Sequence, residues 1–234
     1  EASLRRRASR GFRTFRGADL ANAESKSDRA FYAPSYEQWR AMFPQTGMLE
    51  YRAFLPALVQ FEIWTADRVA AALAQWSHES RGLQALEESF AYTPERLLAV
   101  FPVRVKSLAE AERLVKRGPE AIANVIYGGR FGNRAAGDGW RYRGRGPTQL
   151  TFYDNYALAG AALNMPLATQ PDLVKLIEVG AQVAGYFWAA GGCNAFADQG
   201  NFDAITYRIN GGLNGQSDRV AIWKRFRGIL GLPN

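Results

Sequence analysis

From Tyr36 onward, apolar residues recur at three- and four-residue spacing through most of the chain, the period of helices that bury one face. Tyr36–Phe43 reads as a first helix, stopped by Pro44. Tyr51–Phe61 places Phe54, Leu55, Leu58 and Phe61 on one side, with Pro56 as a candidate break within it. Thr65 is a natural N-cap for a helix running through His78, with Asp67 in its first turn and Val69, Ala72, Leu73 and Trp76 as its buried stripe. Thr93-Pro94-Glu95 starts another helix, with proline at the favoured first position. Ser107 to Glu110 has the form of a capping box, and the helix it opens ends at Gly118. Pro119 then leads into Glu120–Tyr127.

Between Gly128 and Thr151 the helical period vanishes. This stretch is rich in Gly, Arg and aromatic residues, and predicts a long loop leading into a small β-hairpin near Trp140–Leu150. A loop of that length inside a compact domain is usually functional. Helices resume at Asn155–Leu163, Val179–Trp188, Phe202–Ile209 (N-cap Asn201) and Asp218–Leu230 (N-cap Ser217). No internal repeat and no boundary is visible within 36–234, so one mainly α domain is expected there, preceded by a basic arm and linker over 1–35.

Composition narrows the chemistry. The 234 residues are 47% hydrophobic and 22% charged, enough for a sizeable core. No run of about 18 apolar residues occurs, and the Arg-bearing first residues lack the apolar stretch of a secretory leader. Synthesis in the cytoplasm and action at a bacterial cell wall are therefore expected. A single cysteine, Cys193, excludes an internal disulfide framework, and a single histidine, His78, leaves the usual zinc sites without ligands. Neither a GxSxG elbow nor HExxH is present, since position 82 is Gly. His78 reads as a structural hydrogen-bonding residue. No metal and no cofactor are expected.

Of the net charge of +7, residues 1–16 contribute six Arg against one Glu, which leaves 23 basic and 21 acidic residues in the remainder. The basicity is thus assigned mainly to the arm, where Leu4, Ala8, Phe12 and Phe15 at near-helical spacing suggest contact with an anionic envelope surface, although Gly11 interrupts the pattern. A near-neutral body weakens any nucleic-acid footprint, despite the Arg143-Gly144-Arg145-Gly146 turn.

The chemistry is then sought among carboxylates. Glu79 ends an apolar-periodic segment, and Glu87 and Glu88 follow in a more polar one. Glycoside hydrolysis needs one carboxylic acid to protonate the leaving oxygen and a second carboxylate across the bond. Nine residues of unbroken helix would separate Glu79 from Glu88 by roughly 13 Å, but Gly82 predicts that the helix ends near Glu79 and the chain folds back. Partial burial is expected to keep Glu79 protonated, and a polar setting to keep Glu88 ionised. Amides such as Gln149, Asn155 and Asn210 suit sugar hydroxyls, because each both donates and accepts. Trp140 and Tyr142 are open between sugar stacking and core.

Four ordered blocks, AALAQWSHESRGLQALEES, IANVIYGGRFGN, GDGWRYRGRGPTQLTFYDNY and ITYRINGGLNGQSDR, resemble the family 19 glycoside hydrolases, a group of chitinases and phage endolysins. The resemblance runs from about Phe61 to Leu230 and implies a helical domain of the lysozyme superfamily, with a small hairpin beside a substrate cleft. It implies Glu79 as general acid, Glu88 as general base with Glu87 as a confusable neighbour, and Thr151 as the hydroxyl that helps hold water. Gln149, Asn155, Asn210 and Arg219 match cleft positions, and Tyr127 and Arg145 are further candidate substrate contacts. Family members invert the anomeric centre, which implies acids about 6.5–9.5 Å apart with a water between them.

Chitin and peptidoglycan share the linkage geometry. The absence of disulfides, of a leader and of a cysteine-rich chitin-binding module in this sequence, with the short INGGLNGQSDR block, leans toward peptidoglycan cleavage by an endolysin-type muramidase acting as a monomer. Chitinase is the alternative.

Overall fold

The computed structural model describes residues 31–233. Most of the basic arm, including the envelope-binding segment expected at 1–16, lies outside them. Residues 31–34 are extended and already docked: Tyr32 N donates to Trp64 O at 2.8 Å, and Tyr51 Oη donates to Pro34 O at 3.1 Å.

The described chain is mostly helical. In order it forms α1 (Tyr36–Met42), α2 (Met48–Gln60), α3 (Ala66–Ser80), α4 (Pro94–Val100), α5 (Leu108–Arg117), α6 (Pro119–Tyr127), α7 (Asp138–Arg141) and α8 (Tyr153–Leu163). A 3-10 turn at Pro171–Lys175 precedes α9 (Ile177–Ala190), α10 (Cys193–Asp198), α11 (Phe202–Asn210) and α12 (Gln216–Ile229). The caps read from sequence are in place: Thr65, Thr93, Ser107 and Asn201 each accept the amide three residues on. Glu110 reaches back to Lys106 N, one residue beyond the expected return of the capping box.

Three expectations change. Pro56 does not split α2, which continues through it. Both Pro56 and Arg52, whose carbonyl has lost its amide partner, are exposed, so water can serve that carbonyl while Ala53, Phe54, Ala57 and Leu58 hold the opposite face in the core. Helix α12 starts at Gln216 behind a left-handed Gly215 (φ 71°), not behind Ser217. The hairpin expected at Trp140–Leu150 contracts to single bridges of Arg145 with Leu150 and with Glu87, and Trp140 belongs to the one-turn helix α7. Side chains and short turns satisfy most of this segment's backbone, so no ladder is needed.

Two apolar clusters result. The larger surrounds α3, whose residues Val69 to Ser77 are all buried, not only the expected stripe. Four alanines among them let neighbours approach from every side: α12 and α10 pack on α3, while Phe54 of α2 and Trp188 of α9 meet Trp76 at 5.5 and 6.3 Å between ring centroids. The smaller cluster gathers Leu97, Phe101, Leu114, Ile122, Ile126 and Tyr127 from α4–α6, with Phe90 and Phe152. The chain crosses from one cluster to the other between Leu86 and Phe90, and Glu87 and Glu88 sit on that crossing.

Helices α2 and α9 touch through Gly185, where a Cβ would fall 2.2 Å from a ring carbon of buried Phe61. Gly185→Ala should therefore cost about 1–3 kcal/mol in urea unfolding, the usual penalty for overpacking a core. Adding Phe61→Leu should make the double variant more stable than the sum of the two single losses implies.

Candidate active site

Glu79 is the penultimate residue of α3. After Ser80 the chain turns through three successive left-handed residues, Arg81, Gly82 and Leu83 (φ 51°, 68° and 68°). Ser80 secures the turn by donating to Trp76 O at 2.6 Å and accepting from Leu83 N at 2.9 Å. The helix stops where the sequence suggested, and the chain folds back toward the small cluster.

The Glu79 side chain, 12% exposed, accepts a hydrogen bond at Oε1 from Arg219 Nη2 at 2.7 Å. Arg219 is buried and donates a second bond to Gln75 Oε1 at 2.5 Å, and Gln75 Nε2 donates to Thr206 Oγ1 at 2.7 Å. Gln75 and Glu79 are four apart on α3 and so share the face turned to α12. A polar relay thus runs from α11 through α3 to α12, and Arg219 is its centre. Arg219 does not line the sugar cleft as expected; it is 3% exposed and holds Glu79. Partial burial of Glu79 was expected, and a guanidinium lies on the carboxyl as well.

Glu88 stands in a different setting. Its two oxygens both accept from Tyr127 Oη, at 2.8 and 2.9 Å, and Gly144 N reaches Oε2 at 3.4 Å. Burial pushes its carboxyl above the ordinary carboxylate value, opposed by the Tyr127 and Gly144 hydrogen bonds and by the Arg143 charge. This reverses the sequence-based expectation, in which Glu88 was the carboxylate in polar surroundings. Tyr127 is fully buried and its phenol is pushed well above its usual range by burial and by the Glu88 charge, so it remains a donor. Tyr127, expected as a substrate contact, is buried and grips Glu88.

Gly144 joins the predicted residues. A Cβ there would lie 2.8 Å from Gln149 Oε1, 3.2 Å from Glu88 Oε2 and 3.4 Å from Thr151 Oγ1, so these three side chains converge on a spot that only glycine leaves open. Thr151 Oγ1 donates to Gln149 O at 2.9 Å, and Asn155 Nδ2 donates to Thr151 O at 2.8 Å. Gln149 Nε2 is bound to Ala85 O at 3.0 Å. Thr151 and Asn155 also line a cavity with Trp76, Phe187, Arg208 and Ile209. Trp76, one turn before Glu79 on α3, thus shares a cavity wall with Thr151, and neither carboxylate lines that cavity.

Other candidates take structural roles. Asn210 is 2% exposed and donates to Gly212 O and Asn214 O, which shapes the 211–215 turn; its neighbour Ile209 faces the cavity instead. Arg145 is 1% exposed and bonds Arg141 O, Tyr156 Oη and Asp172, so it braces the loop and does not line the cleft. Tyr142 is core, donating to Ala168 O, and Trp140 carries the Arg143 guanidinium on its face at 3.7 Å. Glu87 pairs with Arg143. His78 bonds Asp218 at 2.6 Å, a structural contact as expected. Burial pushes the Cys193 thiol up to about 12, which removes it as a nucleophile. Among the described residues no group of three or more His, Cys, Asp or Glu is placed to hold a metal ion. Sequence reasoning missed Gln75 and Thr206. The signal for Gln75 was an amide inside the apolar run Ala-Ala-Leu-Ala-Gln-Trp, four residues before Glu79.

No family model matches the chain. A glycosyl hydrolase family 19 domain-containing protein of Haemophilus influenzae is 35% identical over 154 residues, which span 65% of this chain and 74% of that protein. An endochitinase of Arabidopsis thaliana is 32% identical over 200 residues, and the match spans 81% of this chain and 58% of the plant protein. Among solved structures, chitinase C from Streptomyces griseus aligns with a TM-score of 0.61 at 24% identity, over 87% of this chain and 97% of its own. A bacterial family 19 chitinase gives a TM-score of 0.58 at 26% identity, over 86% and 97%.

The grip on Glu88 is directly testable. Tyr127→Phe removes a donor that favours the ionised carboxyl, so the Glu88 pKa should rise further, as followed by carbon-13 NMR titration of the side chain. An unchanged or lower titration midpoint would show that the phenol does not govern it.

Proposed function

Because this chain belongs to glycosyl hydrolase family 19, we propose that it hydrolyses the β-1,4 bonds of a polymer containing N-acetylglucosamine, with Glu79 as general acid and Glu88 as general base. The observation that carries this reading is the convergence of Glu88, Thr151 and Gln149 on Gly144. In the proposed reaction a water held by Glu88 and the Thr151 hydroxyl attacks the anomeric carbon. Glu88 takes its proton, the glycosidic C–O bond breaks, and Glu79 gives its proton to the leaving oxygen, which inverts the anomeric centre. Proton exchange with solvent then resets both groups.

The surroundings of the two carboxylates differ from the expected ones, and each bears on one half of the reaction. Arg219 stabilises the carboxylate that Glu79 becomes once its proton has gone. Desolvation makes Glu88 more basic than an exposed carboxylate, which strengthens proton abstraction.

Chitin is the substrate class favoured by the relatives, since the plant proteins are named as endochitinases and the solved neighbours as chitinases. Peptidoglycan is a second reading, favoured by charge. Residues 93–145 carry eleven basic against five acidic side chains, so the body's positive surplus falls on the small-cluster side and suits an anionic polymer.

Glu79→Gln and Glu88→Gln should each lower hydrolysis of chitin oligosaccharides by at least ~100-fold, the scale of losing a general acid or base. An aryl glycoside whose leaving group departs without a proton should restore most of the rate to Glu79→Gln and little to Glu88→Gln. The opposite pattern would exchange the two roles. Clearing of purified peptidoglycan with no products from chitin would select the second substrate.

A further inference from the structure

Glu87 is adjacent to the base and does not belong to the reaction as drawn. Its carboxylate is 38% exposed and pairs with Arg143 Nη2, while Arg145 Nε stands 3.9 Å away. Arg143 is held by Trp140. Its guanidinium sits over the Trp140 ring at 3.7 Å and Nη1 donates to Trp140 O at 2.8 Å, while Trp140 in turn packs on Phe90 at 6.0 Å between centroids. Its backbone carbonyl accepts from Tyr156 Oη at 2.8 Å. A cation 10% exposed at its side chain is thus held near Glu88, and among the described residues its ion-pair partner is Glu87.

We propose that the Glu87–Arg143 pair, stacked on Trp140, is a positioning device that sets the charge felt by Glu88, and that Glu87 acts on the reaction by neutralising Arg143 without touching the glycan. The inference rests on the reading of Glu88 as the base. The groups facing Glu88 leave this pair as its adjustable part. From α6 comes Tyr127, itself influenced by Tyr92 and Arg130. From the loop come Gly144 N, Gln149 and Thr151, all uncharged. Arg145 is taken by Asp172 at 2.9 Å. Arg143 is the cation that favours the ionised form of Glu88, and Glu87 is the carboxylate paired with that cation.

The sign of each substitution follows. Without the Glu87 charge, Arg143 acts on Glu88 unopposed and the ionised base persists to lower pH. Without Arg143, the ionised base is lost at higher pH. The expected profiles of kcat/KM against pH on a chitin oligosaccharide or peptidoglycan, whichever the protein cleaves, therefore move in opposite directions. In Glu87→Gln the acidic limb moves down, and one pH unit below the wild-type midpoint the rate relative to its own plateau rises about threefold. In Arg143→Met the limb moves up, and Arg143→Lys restores it in part. A pair that only braces the loop would lower the melting temperature of these variants and leave the limb in place. Limbs that stay fixed, or that move the same way in both variants, overturn the proposal, and should Arg143→Met fail to fold, the Glu87→Gln profile decides alone. Glu88→Gln separates the two layers: a variant that keeps wild-type activity defeats the assignment of the base itself, whereas an inactive one beside unmoved limbs defeats only the role of the pair.

Discussion

The arrangement of this molecule depends on one buried cation. Arg219 lies almost wholly out of water between α3 and α12, where an unpaired guanidinium is strongly unfavourable. It is stable there because Glu79 Oε1, Gln75 Oε1 and Asn214 O supply acceptors. The same contacts fix the end of α3, the start of α12 and the turn between α11 and α12. The guanidinium that the core must satisfy therefore also holds a carboxyl of the candidate site, and the central helix cannot shift without uncovering it.

The second carboxylate is held by the opposite device. Among the described residues a phenol and one backbone amide, not a bonded cation, grip Glu88, and burial makes its charge costly. Two glutamates nine residues apart are thus given unlike electrostatic settings by unlike neighbours, one from each apolar cluster. The crossing at Leu86–Phe90 makes this possible, since it leaves the first acid with the large cluster and delivers the second to the small one. The residues that sharpen this contrast, Gln75, Tyr127 and Gly144, have no role in the chemistry as written.

How much of this was legible in the sequence follows from the range of the interactions. Helix starts were legible at Thr65, Thr93, Ser107 and Asn201 because a cap is decided within three residues. The stop after Glu79 was legible for the same reason. The identities of Glu79, Glu88, Thr151 and Gln149 as site residues came from ordered blocks, and the structure brings the last three together around Gly144. What Arg219, Tyr127 and Arg145 do was not legible, since their partners lie 140, 39 and 11 residues away and each residue type would suit a sugar equally well. The loop at 128–151 deceived for a related reason. Its glycines and aromatics resemble a hairpin's, yet loop amides such as Trp140 N and Ala135 N donate to the side chains of Asn124 and Asp138 and not to a facing strand.

Arg81, Leu83, Phe90, Gln149 and Phe152 all hold backbone angles that side chains other than glycine seldom adopt, and they bracket both carboxylates. Each such residue costs on the order of 1 kcal/mol, which the alanine-packed centre of the domain must offset. The walls of the cleft are therefore the part of the molecule closest to relaxing. A remote lesion that erodes the core would unsettle the groove before the helices melt, and substitution toward glycine along these walls would gain robustness while loosening the geometry that holds a polymer in place.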